Sequence, residues 1–569
     1  MASLEYWYID DMARFRRERE ALAALAAEAE WLTAGTLRFD DDMRLVVDYD
    51  LDIGHRQYPV QLRYPRTFPH SPPSVFPRGD TTRWTGHQFG AGGELCLEYR
   101  SDNWSPEFLG RALVESAHRL LSGESPASGV SVEVPSVHRH TEGQRLRTAY
   151  RRLLVSRETL ARWDGLAVDA HLTGETIPQV SPDQVVYFVS QLVSGDDAWP
   201  DPGLPKVISE NLTPIPTFIT RVPDTWAELN PAVKADFQEG ARSLGWVEDT
   251  GLLIVLRGNN TVFAYRVFDT SVEQLWFVSP EPAADRVDPA FAALAGRSVG
   301  IVGCGSLGSK MATMLARAGV DKFFLADDDI LLPDNLVRHD LDWQEVGLHK
   351  ATGLGHRLRR IRASISVRKR SQRLGGQDSS ESAENLLTAL GGCDLIIDAT
   401  ANPSATNIVA GIAAMHQVPV IWAEVFTGGI GGLIARWRPG IEPSIPRMRW
   451  AVDNWFDERG IPPLRAPAPY ESGGEAPPFI ADDADVTAIA APAARMAIDL
   501  LLGRSPSHFP SSAYLIGLAP SPAFAQPFET FPLDFPPQED REAPSELSPE
   551  EQREEVERLL ELFRARGPA

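Results

Sequence analysis

Between Ser298 and Asp329 the spacing of apolar positions switches from that of a buried strand to that of a helix, and then back. Ser298-Val-Gly-Ile-Val302 is a short apolar run that passes directly into Gly303-Cys-Gly-Ser-Leu-Gly308. Met311, Met314, Leu315 and Ala318 recur at helical spacing, Gly319 ends that pattern, and Lys322-Phe-Phe-Leu-Ala326 delivers Asp327-Asp-Asp329. The pattern predicts strand, tight turn, helix, strand and an acidic strand end. Asp394-Leu-Ile-Ile-Asp398, Val418 to Glu424 and Gly432 to Trp437 predict further strands of the same layer.

Upstream, Met12 to Trp31 places Phe15, Leu22 and Leu25 on one helical face. Arg44 to Asp48 and Tyr58 to Tyr64 alternate as strands around a turn at Asp52 to Arg56, and a proline-dense stretch, Tyr64 to Pro73, follows. Gln184 to Val189, Leu252 to Leu256 and Thr261 to Tyr265 read as strands, the last two joined by a hairpin turn at Gly258-Asn-Asn260. Near the end, Ser548-Pro-Glu-Glu551 supplies a cap, and Val556, Leu559, Leu560 and Phe563 form one apolar stripe.

These segments divide the chain into a first α+β domain at 1–164, a connecting α/β domain at 165–290, an α/β nucleotide-type domain at 291–535, and a proline-rich tail with a C-terminal helix at 536–569. A chain of 569 residues that is 43% hydrophobic has room for several independent cores. Its formal charge of −23 argues against a protein that follows nucleic-acid phosphates. The basic run Arg357 to Arg362 with Arg368-Lys-Arg370 reads first as a solvated helix face, with RNA or partner binding as the lesser alternative. No secretory signal or membrane span is legible, so a cytoplasmic location is expected. Three cysteines, Cys96, Cys304 and Cys393, supply neither a disulfide framework nor a four-thiolate zinc site.

The glycine turn has a chemical reading. Gly303, Gly305 and Gly308 let backbone approach phosphate, the helix that follows offers unpaired N–H groups, and Asp327 can accept from ribose hydroxyls. Asn335, Arg338 and Lys350 follow the acidic strand end, and a triphosphate needs such cations where a dinucleotide does not. The stretch GIVGCGSLGS…FFLADDDILLPDNLVRH…K…DLIIDAT resembles the ThiF/MoeB superfamily, which includes the ubiquitin-activating enzymes. The resemblance implies ATP with Mg2+, a homodimer, ribose binding by Asp327, triphosphate contacts from Asn335, Arg338 and Lys350, and Asp398 beside the site as a metal ligand. The family's usual Thr-Asp-Asn is Thr400-Ala401-Asn402 here, so either Asp398 or Asp329 serves the metal, or metal handling is altered. The paired CxxC motifs of many relatives are missing, and no structural zinc is expected.

A second resemblance lies between His87 and Leu121. Gly93, Cys96-Leu97-Glu98 and Trp104-Ser105-Pro106, with the upstream Tyr-Pro, Phe-Pro and Pro-Pro pairs, look like the active-site segment of a ubiquitin-conjugating enzyme, with Cys96 as its nucleophile. The family's His-Pro-Asn is replaced by His87-Gln88-Phe89, which makes His87 structural and leaves the oxyanion donor unassigned. His138 and His140 are candidate helpers. Cys304 and Cys393 read as packing residues.

Together the two resemblances imply a fusion similar to those of CBASS (antiviral defence) and ubiquitin-like conjugation operons. It would adenylate the C-terminal carboxylate of a ubiquitin-like protein or a cyclic-nucleotide synthase and pass it to Cys96 and then to a target amine. No cysteine follows Cys393, so direct transfer to Cys96 is expected, with Ser472 or Thr487 as an alternative hydroxyl relay. A sulfur-carrier or peptide adenylyltransferase with a noncatalytic N-terminal docking domain is the competing reading.

Overall fold

The protein is described by a computed structural model. It describes residues 6–79, 84–85, 87–90, 92–124, 149–195, 197–209, 212–258, 261–278, 288–372, 374, 380–462, 481–535 and 548–565. His138, His140 and Ser472 lie outside the described residues, as do turn residues Asn259 and Asn260. The chain forms two compact units, Met1–Thr148 and Ala149–Ala569.

In the first unit, helix Met12–Glu28 starts where the Asp11 carboxylate accepts from Arg14 N. An antiparallel meander follows through Leu32–Phe39, Leu45–Ile53, Arg56–Arg63 and Ser74–Pro77. The strands extend closer to the turn than the alternation suggested, leaving only Gly54 and His55 between Ile53 and Arg56; Gly54 supplies the positive φ of 61°. Helix Arg111–Glu124 packs Leu113, Val114, Ala117 and Leu121 against the sheet's Leu51, Val60 and Leu62 in one core with Leu22 and Leu25.

A buried polar knot fixes this unit's long helix to the segment before Arg111. Arg14 Nε donates to Glu18 Oε1 at 3.0 Å, and Glu18 Oε2 accepts from Tyr64 Oη and Gly110 N, both at 2.8 Å. The Arg14 guanidinium also donates to the Pro106 and Phe108 carbonyls and lies over the Phe68 ring. All three side chains are almost wholly buried, so the charges depend on one another.

The expected boundary at residue 164 moves to the start of the second unit. Strand Arg151–Leu154 pairs in parallel with both Gln184–Ser194 and Val272–Val278, and helix Arg157–Asp164 buries Trp163 in the same core. The α/β expectation for 165–290 gives way to a barrel. Its order is Gln184–Ser194, Arg151–Leu154, Val272–Val278, Thr261–Val267, Gly251–Arg257, Ile215–Val222 and His171–Ser181, and this last strand pairs with the first to close the ring. Leu153, Tyr187, Val189, Ile219, Ile254 and Leu275 share one core, while Phe237 and Ala241 of helix Lys234–Ser243 cover Leu253, Val255 and Tyr265 in another. The central strand Gly251–Arg257 is therefore buried on both faces, as its unbroken apolar run requires.

The last sheet runs Ser366–Arg370, Lys322–Ala326, Ser298–Val302, Leu395–Asp398, Val420–Val425, Gly431–Trp437, Ala513–Gly517 and Thr530–Leu533. Its first five strands are parallel and the rest antiparallel. Helices Ser306–Ala318, Lys350–Ile361 and Asp483–Leu501 cover one face, and Ser380–Gly391, Pro403–His416 and Ile445–Asp457 the other. The chain turns to one side of Ser298–Val302 and later to the other, so a crevice forms between the ends of Ser298–Val302 and Leu395–Asp398.

Candidate functional site

The glycine turn stands at this crevice, and its three glycines have different causes. Gly303 has φ 86°, and a Cβ there would also meet Ala399 backbone at 3.1 Å. Gly308 carries the close approach, because its Cβ would fall 1.9 Å from Gly303 O. Gly305 is the N-cap of helix Ser306–Ala318, has no side-chain cap, and faces open space. The helix start thus presents uncapped N–H groups where an anion can approach.

Asp327 is tied to this turn: Oδ2 accepts from Cys304 N at 2.6 Å and Oδ1 from Asp329 N at 2.8 Å. Burial raises its pKa, while these N–H groups and Lys350 oppose the rise. Lys350 opens helix Lys350–Ile361 and places Nζ 2.7 Å from Asp329 Oδ2. Asn335 lies in the single turn Pro333–Val337, where its Oδ1 accepts from Leu332 N at 3.0 Å, and Arg338 N donates to Asn335 O. The turn, Asp327 and Lys350 are therefore directly linked, and Asn335 and Arg338 belong to the loop between Asp329 and Lys350.

Asp398, the expected metal ligand, closes strand Leu395–Asp398 with a hydrogen-bonded carboxylate. It is 2% exposed, Oδ1 accepts from Thr400 N and Oγ1 at 3.0 and 2.7 Å, and Oδ2 accepts from Thr406 Oγ1 at 2.5 Å. Its carboxylate anchors the loop leading to helix Pro403–His416, whose cap is Asn402. Ala401 sits in that loop at φ 51°, a left-handed conformation that costs a non-glycine residue about 1 kcal/mol. Among the described residues, no three His, Cys, Asp or Glu side chains gather to hold a metal.

Sequence reasoning missed His339 and Lys310. His339 Nε2 lies 2.9 Å from Cys304 O, and Leu341 N donates to Nδ1 at 3.2 Å, so the ring is neutral with its proton on Nε2. Burial lowers its pKa to about 4. Lys310 is buried on the helix after the turn and reaches Asp483 Oδ1 at 2.6 Å. A lone His in Val337-Arg-His339 has no periodic signature, but a charge in the apolar helix pattern at 310 could have been read as needing a partner.

In the first unit Cys96 is half-buried and follows the short hairpin Gln88–Phe89 with Glu94–Leu95. Cys96 N donates to His87 O at 2.7 Å. Gln88, which the sequence reading left without a task, is a buried clamp: Oε1 accepts from Trp84 N and Thr85 N, and Nε2 donates to Gly93 O at 2.9 Å. His87 Nε2 faces Glu124 at 3.5 Å. Burial raises the Cys96 pKa, Arg100 lowers it, and Glu94 raises it. By contrast Cys304 and Cys393 are buried thiols pushed up by burial, Cys393 to about 11. Thr487 is half-buried on helix Asp483–Leu501.

Residues 287–444 match the ThiF family. The chain is 31% identical over 132 residues to the ATP-dependent ubiquitin transferase-like protein Cap2 of Pseudomonas aeruginosa strain BWHPSA011 / Pa011, covering 22% of each. It is 31% identical over 160 residues to the sulfur carrier protein ThiS adenylyltransferase of Escherichia coli K12, 28% of this chain and 60% of that protein. The chain thus spans less than two thirds of either relative. Among solved structures, E. coli MccB with ATP matches 44% of this chain and 66% of its own, at 17% identity and a TM-score of 0.33.

Proposed function

We propose that the ThiF-matching region adenylates a C-terminal carboxylate with ATP, and that Cys96 then receives the acyl group. The observation that carries this reading is the direct bond from Asp327 to the glycine-turn N–H, with Lys350 held beside it on Asp329. Asp327 orients ribose, the uncapped helix start receives phosphate, and Lys350, Arg338 and Asn335 offset charge on the triphosphate.

In the first step a carboxylate oxygen bonds to the α-phosphorus, the bond to the bridging oxygen of the β-phosphate breaks, and pyrophosphate leaves. The Cys96 thiolate then bonds to the acyl carbon as AMP leaves, its proton having passed to solvent or a base. A target amine attacks the thioester, loses a proton and returns the thiolate. Magnesium, when bound with ATP, offsets phosphate charge and takes most of its ligands from phosphates and water, with one or two carboxylates. Asp329, 68% exposed, suits that set better than the hydrogen-bonded Asp398.

The reading of the first unit as a conjugating module rests on the Cys96 segment and on a helix, meander, cysteine loop and helix in that order. Transfer to Cys96 without a prior thioester fits the burial of Cys304 and Cys393. The transferred molecule is a ubiquitin-like protein or a cyclic-nucleotide synthase, and a homodimer in the cytoplasm is the working assembly.

ATP–pyrophosphate exchange with the protein encoded beside this chain tests the first step, and mapping a thioester to Cys96 tests the second. Exchange without any adduct at Cys96 would favour a sulfur-carrier or peptide adenylyltransferase with a noncatalytic first unit. No exchange with any such protein would refute the proposal.

A further inference from the structure

Two sets of unpaired charges lie in the second unit. The first is on the edge of the last sheet. Arg368, Lys369 and Arg370 line a cavity of about 510 Å³ with Phe324, Asn385 and Thr388. Arg368 lies over the Phe324 ring, Lys369 Nζ donates to Thr352 Oγ1 at 2.8 Å, and Arg370 donates to Lys369 O. Arg359 joins them through Val367 O at 3.2 Å. Among the described residues none of these four cations meets a carboxylate, in a chain of net charge −23. Guanidinium groups already occupy the Val367 and Lys369 carbonyls, so the strand edge is blunted against another strand. What stays open is the charged face with its cavity.

The second set is on helix Pro549–Ala565. Ser548 Oγ accepts from Glu551 N at 3.3 Å and Ser548 N donates to Glu551 Oε2 at 2.7 Å, which is the expected capping box. Glu555 pairs with Arg558. The remaining glutamates, Glu550, Glu554, Glu557 and Glu561, recur at intervals of four, three and four residues and so make one acidic stripe. All four are exposed, and among the described residues none has a basic partner.

An acidic stripe alone is ordinarily a solvated face, and cations on a strand edge ordinarily prevent aggregation. Here the sets are opposite in sign, and the chain can join them. Strand Thr530–Leu533 is at the far edge of the eight-stranded sheet from Ser366–Arg370. Crossing its width spans about 34 Å at ~4.8 Å per strand. Phe535 to Pro549 can reach about 46 Å at ~3.3 Å per residue.

We propose that the acidic stripe of the C-terminal helix docks on the Arg359, Arg368, Lys369 and Arg370 face of the same chain. The contact is electrostatic and reversible, weakening as salt rises. It occupies a cationic docking face distinct from the nucleotide turn.

Zero-length carbodiimide coupling on the full chain tests this, because it joins an amine to a carboxylate only when the two touch. Lys369 should couple to Glu554, Glu557 or Glu561 within a one-chain product, mapped by mass spectrometry. The yield should drop at least about fivefold in Arg368→Glu/Arg370→Glu, or in high salt. Adding Glu554→Arg and Glu561→Arg to that variant should restore the coupling of Lys369 to Glu557, with thermal melting checking that each variant is folded. No Lys369 product, coupling only to acids elsewhere, coupling only between two chains, or failure of the charge swap to restore the Lys369 coupling would each overturn the proposal.

Discussion

Substituting His339 by Gln should flatten the dependence of stability on pH in the ThiF-matching region. In the folded protein His339 stays neutral down to about 4, because burial opposes its charge and because Nδ1 must accept from Leu341 N. In the unfolded chain the ring titrates near ~6.5. Between those values the unfolded state binds more protons, so stability is present above ~6.5 and is lost as pH falls through the window. Full development of the shift corresponds to roughly 3 kcal/mol at 1.36 kcal/mol per unit, and about 2 kcal/mol should already be lost at about pH 5. Urea unfolding of wild type and His339→Gln at about pH 7.5 and pH 5 measures it, since carboxylates common to both cancel in the difference. Equal pH slopes for the two proteins, or an imidazole titration near its unperturbed value in the folded chain, would refute the argument.

Three further outcomes are expected. Lys350→Met should lower ATP–pyrophosphate exchange by ~10²–10³, as loss of one charge-stabilising donor does, with melting unchanged because Asp329 beside it is exposed; wild-type exchange would remove Lys350 from the site. Glu18→Ala should destabilise the first unit by about 3–5 kcal/mol by leaving the Arg14 charge buried and Tyr64 Oη without its acceptor, read by denaturant unfolding; a loss under ~1 kcal/mol would contradict the knot. Arg100→Gln removes the charge that lowers the Cys96 pKa, so the midpoint of iodoacetamide alkylation against pH should move upward, and an unmoved midpoint would mean that Arg100 does not face the thiol.

What could be read in the sequence was whatever local periodicity and turn chemistry encode. The alternation from Ser298 to Ala326 fixes strand, turn and helix, and each boundary has a glycine or an acid at it. The capping of Pro549–Ala565 was legible for the same reason. The barrel was not, because its closure depends on pairing His171–Ser181 with Gln184–Ser194 and on inserting Arg151–Leu154 between strands that are distant in sequence. Four residues carry no mark of which neighbours they will take. Asp398 illustrates a different limit. Its position at a strand end was correct, but only the fold brings Thr406 Oγ1 to its second oxygen and shows that the carboxylate also anchors a loop. Gln88 is the converse, a residue to which the sequence assigned no task and whose bonds to Trp84, Thr85 and Gly93 give it a holding one.

The position of Arg151–Leu154 also constrains the order in which a nascent chain can acquire structure. This strand emerges first of the barrel's members, yet one of its two partners, Val272–Val278, is the last. During synthesis the preceding unit, Met1–Thr148, has all of its sheet available and can fold on its own, whereas the ring must wait with a gap beside Arg151–Leu154 until the ribosome has released residue 278. Loop closure over that length is slow relative to hairpin formation, so the adjacent hairpins would form while the ring is still open. A translational pause placed before residue 272 would then hold the nascent chain with Leu153 and Leu275 unable to meet in a common core, and sensitivity to proteolysis within residues 149–278 should persist until that point is passed.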